Sequence, residues 1–232
     1  MSSNQAFSVG DPFLIGSAYS IPETARLAKT TAATVRRWLV GYDAPGHHME
    51  PVFGEIHQGE AGTPLQVSFL QLVEIAIAVQ FRRVDGVSLE RVRRAHSYAR
   101  KVWLVPFPFA TMKFKVSGGH LMHQFEETEP GSGHLAFDLD GQWALPEFVF
   151  DELNTVDFEA TGEYASRWYP YGRQAHIVID PHFVAGRPII EGTRIPVRAV
   201  KERFDAGESI RYLARDYGLS ISTVEEVIRL AA

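Results

Sequence analysis

Asp180-Pro181-His182-Phe183-Val184-Ala185-Gly186-Arg187-Pro188-Ile189-Ile190-Glu191-Gly192-Thr193-Arg194-Ile195-Pro196 is dense in residues that constrain the backbone rather than perform chemistry. Pro181, Pro188 and Pro196 fix φ, and Gly186 and Gly192 admit positive φ. The short apolar runs between them predict a tight β-arch that ends at Pro196 and feeds straight into a helix. Val197, Val200 and Phe204 give that helix its apolar stripe, and Gly207 ends it. A second helix runs from Ser209 to Gly218. Ser222 with Glu225 reads as a capping box for a third, which carries Val224, Val227 and Ile228. The spacing is that of a helix-turn-helix. Glu225 and Glu226 on its outer side repel phosphate, so dimerisation or partner contact is expected of it rather than DNA reading.

A second helix pair lies near the other terminus. Ser20 with Glu23 is a capping-box pattern, and Pro22 sits in the first turn. Ala25 and Ala28 are small enough for a close helix crossing. Thr30-Thr31 caps a further helix that ends at Gly41. Val35, Trp38 and Leu39 form its buried stripe, which leaves Thr34, Arg36 and Arg37 on the free face. Two short helices, the second basic on its outer side, make a DNA-reading layout.

Residues 41–66 are rich in Gly, Pro and His. They predict a loop or wing with a short hairpin pairing Val52–His57 with Leu65–Ser68. His47, His48 and His57 match no ligand spacing, so no metal is expected there. Helices follow from Ser68 to Val84 and from Ser88 to about Trp103. Residues 82–101 hold seven Lys/Arg against two acids. Arg91, Arg94, Arg100 and Lys101 fall off the buried stripe, a second basic patch that could track a phosphate backbone.

From Met112 the apparent period is 2, with Met112, Phe114 and Val116 alternating with Lys113 and Lys115. Ser117-Gly118-Gly119-His120 reads as a hairpin turn and Leu121–Phe125 as the returning strand. His134–Leu139 follows as a third strand closing at Asp140-Gly141, then a helix from Pro146. Further strands are expected at Phe158, 163–168 and 175–179. His120 and His123 then fall on opposite faces of a strand and make poor co-ligands. Asp151, Glu152, Asp157 and Glu159 suit a metal-dependent nuclease only if they converge, and their helix-then-strand placement argues against it.

Charge is segregated along the chain. Residues 1–115 carry +4, residues 116–166 carry -11 with no Lys or Arg, and residues 167–232 carry +2. Such segregation points to different partners for different parts. There are no cysteines, which excludes disulfides and thiol chemistry and suits a reducing compartment. The first twenty residues lack a signal-peptide pattern, and no apolar run reaches the roughly 18 residues of a membrane span. A cytoplasmic protein is expected. No P-loop, dinucleotide fingerprint or nucleophile elbow is present, so no enzyme, catalytic residue, cofactor or metal is expected.

Two resemblances organise these readings. Thr34-Val35-Arg36-Arg37-Trp38, with the Gly86-Val87-Ser88-Leu89 turn and Arg-rich helix, resembles the DNA-binding domain of MerR-like regulators. The run from Asp180 to Val197, with Leu213-Ala214 and Tyr217-Gly218-Leu219, resembles a small domain of VapB-type antitoxins. The expected fold class is α+β: a flexible N-terminus (1–19), a helical MerR-like helix-turn-helix domain (20–105), an acidic, antiparallel β-rich central segment (106–175) and a C-terminal β-arch with three helices (176–232). The resemblance implies an antitoxin of a type II toxin–antitoxin system, homodimeric, that represses its own operon. Its partners would be operator DNA and a VapC-type PIN-domain ribonuclease toxin. Lys29, Thr31, Thr34, Arg36 and Arg37 would contact DNA. Arg187, Arg194 or Arg198 would enter the acidic cleft of the toxin, or the acidic 116–166 segment would cover the toxin's basic RNA-binding surface. The alternative is a stand-alone MerR-like regulator that binds a small apolar ligand among the central aromatics.

Overall fold

The computed structural model of the 232-residue chain describes residues 10–16, 18–44, 46–53, 64–158 and 163–230. They form two compact units. The first runs to Asn154 and includes Phe158–Ala165; the second comprises Thr155–Asp157 and the chain from Ser166.

In the first unit a one-turn helix, α1 (Pro12–Ile15), precedes β1 (Tyr19–Ser20) and α2 (Ile21–Leu27). Ser20 caps α2, accepting from the Glu23 amide at 3.3 Å. The helix closes at Lys29, whose φ of 54° is left-handed. The amides of Lys29 and Thr30 reach back to the carbonyls of Arg26 and Ala25 at 3.2 and 2.8 Å, a C-terminal motif usually built on glycine. Helix α3 (Ala32–Val40) is capped by Thr31, which accepts from the Thr34 amide at 3.1 Å, and buries Val35, Trp38 and Leu39 as expected. Gly41 then turns the chain into the hairpin β2 (Tyr42–Ala44) and β3 (His47–Met49). A Cβ at Gly41 would lie 2.3 Å from the Met49 carbonyl oxygen.

Strand β4 (Gln66–Val67) pairs with β1, Tyr19 opposite Val67, while Val52 and Phe53, the described part of its expected partner, form no strand. Tyr19 and Val67 are both fully buried, so burial selects this pairing. Val52 and Phe53 are buried too and donate their amides to the Trp38 carbonyl, while residues 54–57 lie outside the described residues.

Helix α4 (Phe69–Phe81) is apolar on almost every face and forms the centre of this unit. Ser68 and Gln71 cap it reciprocally. It buries Glu74, which accepts from His96 Nε2 on α5 (Leu89–Trp103) at 3.0 Å and from the Phe109 amide at 3.1 Å. The His96 ring stands edge-on to Phe53 and Phe109, each 5.0 Å away.

The central segment corrects the β-rich expectation. Residues Met112–Thr128 form one helix, α6, in place of two strands and a turn. Thr111 caps it, accepting from the Phe114 amide at 3.0 Å. Its buried positions, Phe114, Gly118, Leu121, Met122 and Phe125, recur at helical spacing, and the alternation over 112–116 was too short a window to separate the two periods. Gly118 and Gly119 make no turn; they are where the hairpin β5 (Phe137–Leu139) and β6 (Gln142–Ala144) crosses the helix. The turn at Asp140-Gly141 and the helix α7 (Glu147–Asn154) are as expected.

In the second unit β7 (Val156–Phe158) pairs with β8 (Ala165–Trp168). The arch is an antiparallel pair, β9 (Ile177–Val178) and β10 (Ile189–Ile190), with Ile189 opposite Val178. Gly186 and Gly192 both adopt φ 73°, as their placement predicts. Pro196 delivers the chain into α8 (Val197–Asp205), followed by α9 (Ile210–Tyr217) and α10 (Ile221–Leu230). Ile177 and Ile190 pack with Val200, Leu213, Val224 and Val227 in one core. Ser220, rather than Ser222, caps α10 by accepting from the Thr223 amide at 3.0 Å, because the helix begins at Ile221. Arg203 forks onto Glu208 at 2.8 and 2.6 Å and reaches Asp216 at 2.6 Å, tying α8 to α9. The class is α+β, with two-stranded antiparallel sheets among helices.

Candidate nucleic-acid interface and partner-facing residues

Helix α3 presents Arg36 and Arg37 to solvent. Neither forms an ion pair with a described residue; Arg37 lies 5.3 Å from the centre of the Tyr42 ring. Thr34 is half-buried, its hydroxyl 2.9 Å from that of Thr31. Thr31 therefore acts first as a cap. Lys29 is exposed at the turn between the two helices. The β2–β3 hairpin beside α3 carries an exposed Asp43–His48 pair at 2.7 Å. The hydrogen bond to Asp43 holds the His48 imidazole above its ordinary pKa.

The second basic patch does not survive folding as a free surface. Arg91 is buried and spends its guanidinium on the Gly133 carbonyl (2.9 Å), the Glu129 carbonyl (3.1 Å) and the Glu126 carboxylate (3.1 Å). Arg94 pairs with Glu129, and Arg93 with Glu90 and the Glu50 carbonyl. Arg100 is half-buried, and Lys101 is exposed. The charge pattern hid this because the neutralising carboxylates lie some 30 to 40 positions downstream in the acidic segment.

In the second unit Arg187, Arg194 and Arg198 are all exposed. Arg194 lies over the Phe183 ring at 5.1 Å, and Arg198 pairs with Glu202 at 2.6 Å. Sequence reasoning missed what anchors the arch. Asp180 is buried, accepting from Arg167 Nε at 2.8 Å and from the His182 amide at 3.0 Å. Tyr169 donates to Glu191 at 2.9 Å, and burial followed by that bond pushes its hydroxyl up to about 12.

The remaining chemical candidates do not assemble. Among the described residues no group of three or more His, Asp or Glu is placed to hold a metal ion. Glu152 accepts from Gln80 at 2.9 Å, Asp157 pairs with Arg173 at 2.6 Å, and Glu159 lies outside the described residues. His120 and His123 lie on α6 rather than on a strand; His123 stacks on Trp143 with ring centres 3.5 Å apart and planes 9° from parallel. A groove of about 490 Å³ opens beside that stack, bordered by Glu127, Phe137 and Asp138. No described helix is long and apolar enough to cross a membrane.

Comparison with known proteins covers nearly the whole chain. Over 227 residues it is 23% identical to the Mycobacterium tuberculosis protein named "Putative antitoxin VapB45", spanning 90% of this chain and 92% of that one. The chain resembles a named antitoxin. It is also 25% identical over 217 residues to "Uncharacterized protein Rv2308" of the same organism, covering 90% and 88% of the two chains. A family model described as a protein of unknown function, DUF433, matches residues 177–231, which hold β9, the arch and the three C-terminal helices. The crystal structure of Rv2018 from Mycobacterium tuberculosis has the same fold, with a TM-score of 0.73 over 96% of this chain and 98% of that one at 22% identity.

Proposed function

We propose that this chain is the antitoxin of a type II toxin–antitoxin pair. The observation that carries the reading is the similarity to a named antitoxin along 90% of the chain. In this reading the 20–105 region is a MerR-like operator-binding domain, 106–175 the acidic central segment and 176–232 the antitoxin-associated domain. Helix α3 enters operator DNA with Arg36 and Arg37, while Thr31, Thr34 and Lys29 meet the phosphate backbone. Two exposed arginines with no carboxylate partner among the described residues, on a short capped helix, support that assignment. A homodimer pairs two reading heads for a palindromic site. The toxin is a VapC-type PIN-domain ribonuclease, approached either by Arg187, Arg194 and Arg198 or by the acidic segment.

Co-expression with a neighbouring PIN-type gene tests the reading. Joint purification, with loss of ribonuclease activity, is expected; toxin that stays active and separate rejects it. The groove beside Trp143 favours one rival, a stand-alone regulator that binds a small apolar ligand there. That rival predicts operator binding that responds to such a ligand and no toxin partner.

A further inference from the structure

The acidic segment is not uniformly available to a partner. Glu126 and Glu129 are committed to Arg91 and Arg94. Part of the remaining charge faces solvent at the β5–β6 ribbon: Asp138 is exposed, and Glu127, 3.5 Å from His123 Nε2, has a side chain that is 64% exposed. The same ribbon exposes Phe137 (42%), Leu139 (62%) and Trp143 (36%). Such a concentration of apolar surface on a two-stranded ribbon marks an interaction site.

The ribbon is also held rigidly. Gly119 brings α6 so close that a Cβ there would meet the Trp143 carbonyl oxygen at 2.2 Å, and His123 stacks flat on the Trp143 ring. The groove beside this stack therefore joins a fixed aromatic surface to the carboxylates of Glu127 and Asp138, which suits a cationic side chain better than a neutral one.

Resting on the antitoxin reading, we propose that this groove is the docking site for a basic segment of the ribonuclease toxin. An arginine from that segment seats against Trp143, between Glu127 and Asp138, and apolar neighbours cover Phe137 and Leu139. Charge complementarity selects the occupant. A ribonuclease holds a polyanion, so its substrate face is cationic, and Arg91, which also borders the groove, is spent on Glu126 and two backbone carbonyls. Docking there places antitoxin carboxylates where RNA phosphates would bind.

Calorimetry of the full chain against the purified PIN-domain toxin tests the proposal. Trp143→Ala is expected to weaken binding about tenfold. Asp138→Asn is expected to weaken it about threefold and to flatten its salt dependence; the turn bond from the Gly141 amide to Asp138 Oδ1 (2.7 Å) has an equivalent in asparagine. Operator binding should stay at the wild-type level in both variants. If Trp143→Ala fails to fold, Leu139→Glu carries the same test from the solvent side. Wild-type affinity in all three variants overturns the docking site while leaving the antitoxin reading intact. No toxin binding by the wild-type chain rejects that reading instead. The groove is then judged with acetyl-Arg-Leu-Arg-amide, followed by the NMR signal of the Trp143 indole. A shift absent with acetyl-Glu-Leu-Glu-amide and lost in Asp138→Asn supports a basic-segment site. No shift with the basic peptide, or an equal shift with acetyl-Glu-Leu-Glu-amide, overturns it.

Discussion

A side chain at Gly119 would place its Cβ 2.2 Å from the carbonyl oxygen of Trp143. The obstacle is backbone, which cannot rotate aside. Alanine normally stabilises a helix interior by about 1 kcal/mol relative to glycine. Here Gly119→Ala should instead destabilise the first unit by about 1–3 kcal/mol, the usual range for overpacking. Gly118→Ala meets only the side chains of Leu145 and Phe114, at 3.0 Å, and should cost less. Urea unfolding of both variants measures the difference.

Lys29 combines a strained backbone with a proposed phosphate contact. Its φ of 54° belongs to glycine by preference. Lys29→Gly should raise stability by about 1 kcal/mol and weaken operator binding at low salt. Thermal melting and a DNA titration on the same sample separate the two effects.

Arg36→Ala with Arg37→Ala removes both exposed cations of α3. If each meets a phosphate, the slope of log K against log salt for operator DNA should fall by about 2 for each reading head, and so by about 4 for the homodimer. A contact to a base edge would instead relax sequence preference at one position by about 1–3 kcal/mol. An unchanged slope with unchanged affinity removes α3 from the interface.

Arg91 predicts a stability loss rather than a binding loss. Its side chain and that of Glu126 are 9% and 14% exposed, and removing one partner strands the other. Arg91→Ala should cost about 3–5 kcal/mol. Chemical denaturation gives the cost directly, and a double variant with Glu126→Gln should recover part of it.

Tyr169 gives the second unit an alkaline limit. Its hydroxyl is pushed up to about 12, so the folded state keeps a proton that the unfolded state releases near 10. Stability is full below about 10 and falls as pH rises toward 12, by up to roughly 2–3 kcal/mol. Melting temperatures across that range should slope downward, and Tyr169→Phe should remove this contribution to the slope.

What the sequence made legible was local. The caps at Ser20, Thr31, Ser68 and Ser88, the glycines at 186 and 192, and the stripe of Val35, Trp38 and Leu39 all follow from short-range rules. The failures share one cause. Gly118-Gly119 resembles a turn until the hairpin that crosses it is known, and Arg91 resembles a surface cation until Glu126 and Gly133 reach it. Asp180 opens the arch signature, yet its burial depends on Arg167 from β8. Each of these residues is defined by a partner more than ten positions away.

The Arg91 and Arg94 clamps also limit how this chain can hold DNA. Glutamates 126 and 129 act as internal counterions, so Arg91 and Arg94 of α5 have little left to offer a phosphate backbone. In the proposed role a single head is left with Arg36, Arg37 and Lys29, too few contacts for durable occupancy on their own. Two heads joined in one homodimer must then engage together, the second binding at the high effective concentration set by the first. Anything that parts the two heads would then release the promoter without altering a single DNA contact.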